Sequence, residues 1–172
     1  MLKRISFLLI LCCFAKASVW AQTSNQEASL KAVFIYNFTK YIEWDNLGGD
    51  DNFIIGVMGS SALDATIEAI AKKNFVKNKR IILKHFNSPE DISYCHMLFI
   101  PRDYQVPVRI VTEKIDKKIL VVSDKPGGAR LGASINFVVV NDKLKFEINT
   151  ETLYTAGLRA SSQLLKLAII VD

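Results

Sequence analysis

Apolar and polar positions along the chain change period several times, and each change marks an element. Lys3 and Arg4 precede an apolar run from Ile5 through Phe14, and Val19-Trp20-Ala21 follows. A positive end, an apolar middle and small side chains before Gln22 read as a secretory leader, cut after Ala21. A helix of ten residues covers only about half of a bilayer's hydrocarbon core, so this run is too short for a membrane anchor. Beyond it, Ser24 and Glu27 have capping-box spacing, and a helix is predicted over residues 25–42 with Leu30, Val33, Phe34, Asn37 and Tyr41 along one face.

The middle of the chain alternates strand-like and helix-like runs. Phe53 to Met58 is a short apolar strand ended by Gly59, after which Ser60 or Ser61 caps a helix reaching about Lys73. Arg80 to Phe86 and His96 to Ile100 read as strands around the capped turn Ser88-Pro89-Glu90-Asp91, in which Pro occupies the first helical position. Pro107 to Ile115 reads as a helix and Leu120 to Ser123 as a fourth strand. Such alternation predicts parallel pairing with helices on both faces. Ile135 to Val140 and Leu144 to Ile148, separated by Asn141-Asp142-Lys143, predict a β-hairpin. Thr150 then caps one closing helix with Leu153, Ala156, Gly157, Ala160, Leu164, Leu167 and Ala168 at helical spacing. The expected fold is a single α/β domain over residues 22–172. Its sheet is mixed but mainly parallel, with about six strands, a C-terminal antiparallel hairpin and a closing helix.

Charge enters only after the leader is subtracted. The full chain has 22 basic and 17 acidic residues, but Lys3, Arg4 and Lys16 fall in the leader, leaving 19 basic and a net charge of +2. So small an excess offers no clustered basic face, and a nucleic-acid partner is not expected. Of three cysteines only Cys95 remains, so an internal disulfide is excluded and an apolar core must hold the exported domain together.

No catalytic chemistry stands out. Cys95 and His96 are adjacent, but neighbours on a strand point to opposite faces and cannot share a proton there. His85 and His96 lack metal-ligand spacing, and neither a G-x-S-x-G elbow nor a phosphate loop is present. No enzyme, cofactor or metal is therefore expected. A small ligand of an open α/β sheet belongs beyond the carboxyl ends of its parallel strands. There, Gly59, Ser60 and Ser61 lead into a helix N-terminus and Arg102 adds a cation, so these four residues form a candidate anion site. Tyr36 and Trp44, on a first helix with more rings than one stripe can bury, are candidate exposed contacts for a partner or for a second copy of the chain. Glu147 and Arg159 are expected to pair with each other.

Six motifs in order resemble one family. They are Lys31-Ala32-Val33-Phe34-Ile35-Tyr36-Asn37-Phe38 with Tyr41-Ile42-Glu43-Trp44, then Ile55-Gly56-Val57-Met58-Gly59, Cys95-His96-Met97-Leu98-Phe99-Ile100, Ile135-Asn136-Phe137, Lys145-Phe146-Glu147-Ile148-Asn149, and Ala156-Gly157-Leu158-Arg159-Ala160-Ser161-Ser162. Together they resemble the YfiR family across almost the whole mature chain. The resemblance implies a periplasmic repressor that binds a membrane-bound diguanylate cyclase, lowers cyclic di-GMP and restrains biofilm formation. It leaves a sensor kinase as an alternative inner-membrane partner, through which the chain would act as a small-molecule sensor. Cys95, the lone thiol of the mature chain, departs from the paired cysteines of the family's redox-sensitive member.

Overall fold

The computed structural model describes residues 25–45, 47 and 51–171. The leader, its cleavage point and the Ser24 half of the capping box lie outside the described residues. Helix α1 spans residues 25–41 and runs into a short strand β1 (Ile42–Trp44). Strand β2 (Asn52–Met58), helix α2 (Asp64–Ala71), β3 (Phe75–Val76) and β4 (Lys79–Phe86) follow. A 3-10 turn (Pro89–Asp91) then leads to β5 (Met97–Ile100), α3 (Val108–Lys114) and β6 (Leu120–Ser123). After a second 3-10 turn (Gly128–Leu131), β7 (Ile135–Val140) and β8 (Lys143–Asn149) form the expected hairpin. Asn141 and Asp142 supply the positive φ values that its tight turn requires.

Among the described residues the main sheet is mixed, as expected, but it has eight strands in the order β10-β8-β7-β6-β5-β2-β4-β3 where about six were expected. β4, β2, β5, β6 and β7 pair in parallel, the pairs β3–β4 and β7–β8 are antiparallel, and β10 adds to β8 in parallel as the outer strand. The extra strands come from segments too short to show a period of two: β3 has two residues and β10 (Ile169–Val171) three.

The closing helix is the largest correction. It is divided into α4 (Thr150–Thr155), β9 (Leu158–Ala160), α5 (Ser162–Leu167) and β10. Gly157 stops α4 because its φ of +69° is a left-handed conformation that costs glycine little. Ser161 restarts the chain as a helix by accepting the Leu164 N–H at 3.2 Å. Between the two, Leu158–Ala160 pairs antiparallel with β1 as a separate two-stranded ribbon. The cap of α4 is Asn149, which accepts the Thr152 N–H at 2.8 Å, and not Thr150.

Two apolar layers sandwich the sheet. On one face Phe53, Ile55 and Val57 of β2, Phe99, Val122 and Phe137 pack under α1 and α2. On the other, Ile54, Leu98, Ile100 and Val121 pack under Val108 and Val111 of α3. Alternation along the strands thus sends side chains to both layers. α1 is pinned by Phe38, fully buried and edge-on to Phe146 at 5.1 Å between ring centroids.

Helix α1 turns a different face to the core from its most regular apolar stripe. Ala28, Ala32, Ile35 and Phe38 are buried, whereas Leu30, Val33 and Tyr41 are 45%, 43% and 38% exposed. The helix carries two apolar stripes, and packing on β7 and β8 selects one of them.

Candidate functional site

The carboxyl ends of β2, β5 and β6 meet beside α1, where the chain turns from building the sheet toward β4 to building it toward β7. That is the topological switch point at which open α/β sheets place ligands. A cavity of about 400 Å³ opens there, within the size range of small-molecule sites. Its walls include Ala28, Leu63, Phe99 and Val139, and its polar lining is Glu27, Lys31, Ser61, Arg102, Asp103 and Asp124.

Lys31 organises this site. Its side chain extends from the buried side of α1, and Nζ lies 2.6 Å from Glu27 Oε1 and 2.7 Å from Asp124 Oδ2. Lys31 and Asp124 are 5% and 7% exposed, so the pair is held away from bulk water, where charge attraction is strong and an unpaired charge is costly. Arg102 reaches the other Asp124 oxygen at 3.3 Å from an exposed position. Asp124 itself is positioned by the loop that follows β6. There Ser123 Oγ accepts the Lys125 N–H at 3.0 Å and the Gly128 N–H donates to the Lys125 carbonyl at 3.0 Å.

The four expected anion-binding residues separate into two groups. Ser61 and Arg102 line the cavity, while Gly59 lies beside the Tyr104 ring and Ser60 is exposed on the loop. Two of the donors the anion reading relies on already have protein partners. Asp64 Oδ2 accepts the Ser61 N–H at 2.9 Å, so a carboxylate of the helix itself occupies the start of α2. Arg102 is turned to Asp124. Sequence reasoning missed Lys31 and Asp124, which are 93 residues apart; a lysine among the apolar residues of a helix was the available signal.

Neither expected contact ring stands free. Trp44 is 8% exposed and packs edge-on against Phe53 at 5.3 Å. Tyr36 is half-buried, donates its hydroxyl to Asn74 Oδ1 at 2.9 Å and lies under Lys40. The exposed apolar surface lies instead on the Leu30, Val33 and Tyr41 stripe. Beside it a groove of about 330 Å³ is lined by Phe34, Phe38, Tyr41, Phe146, Leu164 and Leu167. The expected Glu147–Arg159 pair is also corrected: Glu147 lies 3.7 Å from Arg130, and Arg159 reaches Glu43 and Asp45. The break before β9 places Arg159 on the small ribbon, where Glu43 of β1 and Asp45 just after it supply its carboxylates.

Cys95 and His96 do face opposite layers. Cys95 joins the cluster under α3, and His96 stacks on Phe53 at 4.7 Å between centroids. His96 Nδ1 accepts the Ile54 N–H at 3.0 Å, which assigns the proton of the neutral ring to Nε2, 3.1 Å from the Leu47 carbonyl. The ring is therefore a structural bridge. Burial pushes the Cys95 thiol up to about 12, with the Gly56 backbone hydrogen bond and Lys84 opposing weakly. The unfolded thiol ionises near 9, so its stabilising contribution is complete below that pH and falls as pH rises toward 12. At about 1.4 kcal/mol per pH unit, the loss reaches about 2 kcal/mol by about pH 10.5. Urea unfolding of wild type and Cys95→Ala should converge over this range; parallel pH profiles would refute the assignment.

The family model described as YfiR/HmsC-like matches residues 28–169. The chain belongs to the YfiR/HmsC-like family. The match runs from α1 into β10 and so includes the Lys31–Asp124 cavity and the exposed stripe. No curated protein sequence matches the chain. A solved structure titled as the ABC domain in complex with L-Trp from Streptococcus pneumonia is similar at a TM-score of 0.52 and 15% identity. The alignment covers 69% of this chain and 55% of that one, so the YfiR/HmsC-like chain spans about half of its length, and the likeness is one of fold. Among the described residues no helix is long and apolar enough to cross a membrane.

Proposed function

We propose that this YfiR/HmsC-like protein is a periplasmic regulator that acts by contact on an inner-membrane signalling protein, a diguanylate cyclase, and thereby restrains cyclic di-GMP output and biofilm formation. Family membership over residues 28–169 carries the reading. The surface supports it, because Leu30, Val33 and Tyr41 on α1 and Leu167 on α5, which is 69% exposed, border an apolar groove. Apolar area left in water at one site is the usual mark of a docking face.

The test is retention of partners by the protein, residues 22–172, from solubilised membranes of the native cell, read by mass spectrometry. Recovery of a membrane protein with a cyclase domain is expected. A Leu30→Glu, Leu167→Glu variant should retain at least about tenfold less of it while unfolding at an unchanged temperature, since both residues are solvent-facing. Equal retention by the variant would remove the groove from the interface, and a blank from wild type would remove the cyclase. The cavity at the switch point favours a second reading, a small-molecule sensor working through a sensor kinase or another membrane protein.

A further inference from the structure

The net charge of +2 averages over a one-sided distribution. Residues 69–89 contain Lys72, Lys73, Lys77, Lys79, Arg80 and Lys84 and no acidic residue. Removing these six from the 19 basic residues of 22–172 leaves 13 against 17 acidic, so the rest of the domain is net negative. Summing charge over the whole chain conceals a basic face. The fold gathers it at one edge of the sheet, where the two-residue turn Lys77-Asn78 joins β3 to β4. Lys72, Lys73, Lys77, Arg80 and Lys84 are exposed, and among the described residues none of these five takes part in an ion pair. Acids on the adjoining elements are fewer: Glu68 lines the depression beside Lys72 and Arg80, the Asp51 carbonyl accepts the Arg80 N–H, and Asp64 is paired with His85.

Two apolar side chains stand among these cations. Phe75 lies opposite Arg80 in the β3–β4 register, so the two share a face of the sheet, and Ile82 and Lys84 follow Arg80 on that face at a period of two. Phe75 is 59% exposed and Ile82 38%. Val76 and Ile81, which point to the other face, are buried in the core and hold the hairpin in place. The outer face of this edge thus alternates large apolar groups with cations.

The kind of cation separates one occupant from another. Five of the six are lysines, compact charges on flexible stems that can follow a fluid array of headgroups. Fixed recognition of a protein or nucleic acid favours the planar arginine fork, and lysine is depleted from protein interfaces. Apolar side chains surrounded by lysines are stabilised twice over at an anionic membrane, by burial at the acyl boundary and by charge attraction.

We propose that the β3–β4 edge is a docking face for an anionic phospholipid bilayer, with Phe75 and Ile82 entering the interface and the surrounding cations meeting the headgroups. The proposal goes beyond the partner reading. The groove beside α1 and α5 rests on Phe146 of β8, which lies five strand spacings of about 4.8 Å from β4. A protein bound in that groove leaves the lipid face free.

The experiment is co-sedimentation of the protein, residues 22–172, with vesicles of phosphatidylcholine, either alone or with about a quarter phosphatidylglycerol. Binding at least about tenfold stronger to the anionic vesicles is expected, weakening as salt is raised. Lys73→Glu with Lys84→Glu should lower this binding at least about tenfold. Lys143→Glu with Lys145→Glu makes the same change of net charge at exposed positions of the other hairpin, and should leave binding within about twofold of wild type. Both variants alter exposed side chains and should unfold as wild type does. Phe75→Trp should shift its emission to the blue on anionic vesicles, a signal that the buried Trp44 does not give. No binding, equal binding to both vesicles, equal loss in the two charge variants, an unshifted emission, or binding to polyglutamate or DNA in place of vesicles would each overturn the proposal. Because the vesicles hold no protein, such a result leaves the cyclase reading untouched.

Discussion

Gly128→Ala should destabilise the protein by about 3 kcal/mol, measured by urea unfolding, although it adds a single methyl group. A Cβ at Gly128 would lie 2.5 Å from Asn136 Oδ1, 2.6 Å from Ser123 Oγ and 2.9 Å from Ser123 Cβ. Ser123 and Asn136 are both fully buried, so neither can swing into solvent to make room. Asn136 is further held by donating Nδ2 to Glu147 at 3.1 Å. The backbone of the turn must therefore shift, and that turn closes the loop which presents Asp124 to Lys31. Combining Gly128→Ala with Ser123→Gly removes two of the three contacts and should recover a substantial part of the loss. A single variant as stable as wild type would mean that the turn is not seated on β6 and β7 as described.

Lys31→Met should cost a similar amount, about 3 kcal/mol, for an electrostatic reason. The methionine fills most of the space of the lysine stem but leaves Asp124 buried with only the exposed Arg102 as a partner. Removing one member of a buried pair exposes the desolvation cost of the other. Adding Asp124→Asn removes the stranded charge, so the double variant should be more stable than Lys31→Met alone. A loss below about 1 kcal/mol in the single variant would show that water screens the pair as it does a surface ion pair. The two predictions converge on one loop, the first through its seat on the sheet and the second through its charge.

Most strands were legible from local pattern because their signals are short-range. Leu120–Ser123 and Ile135–Val140 match the expected bounds, and the 3-10 turn at Pro89–Asp91 forms with both halves of its capping box in place. The last segment was misread because Leu153, Ala156, Ala160 and Leu164 do recur at helical spacing. That periodicity says nothing about whether β1 waits to pair with Leu158–Ala160. Gly157 was the local sign of a break, and it was absorbed into a helical stripe instead.

The candidate site was less legible than the fold. Ser61 and Arg102 were found because strand ends and helix starts are visible locally. Their engagement with Asp64 and Asp124 depends on side chains meeting in space, which no local pattern shows. Trp44 illustrates the same limit: a large ring expected on the first helix fits a contact role or a core role, and only its place on β1, packed on Phe53, decides.

The sequence by itself determined the alternation of strands and helices, the hairpin and the likeness to the YfiR family, all written in neighbouring residues. Tertiary structure alone decided which stripe of α1 is buried, that the chain's end is split to pair with β1, and that Lys31 meets Asp124. Those outcomes follow from contacts between distant segments, where packing and desolvation select among local options of nearly equal energy.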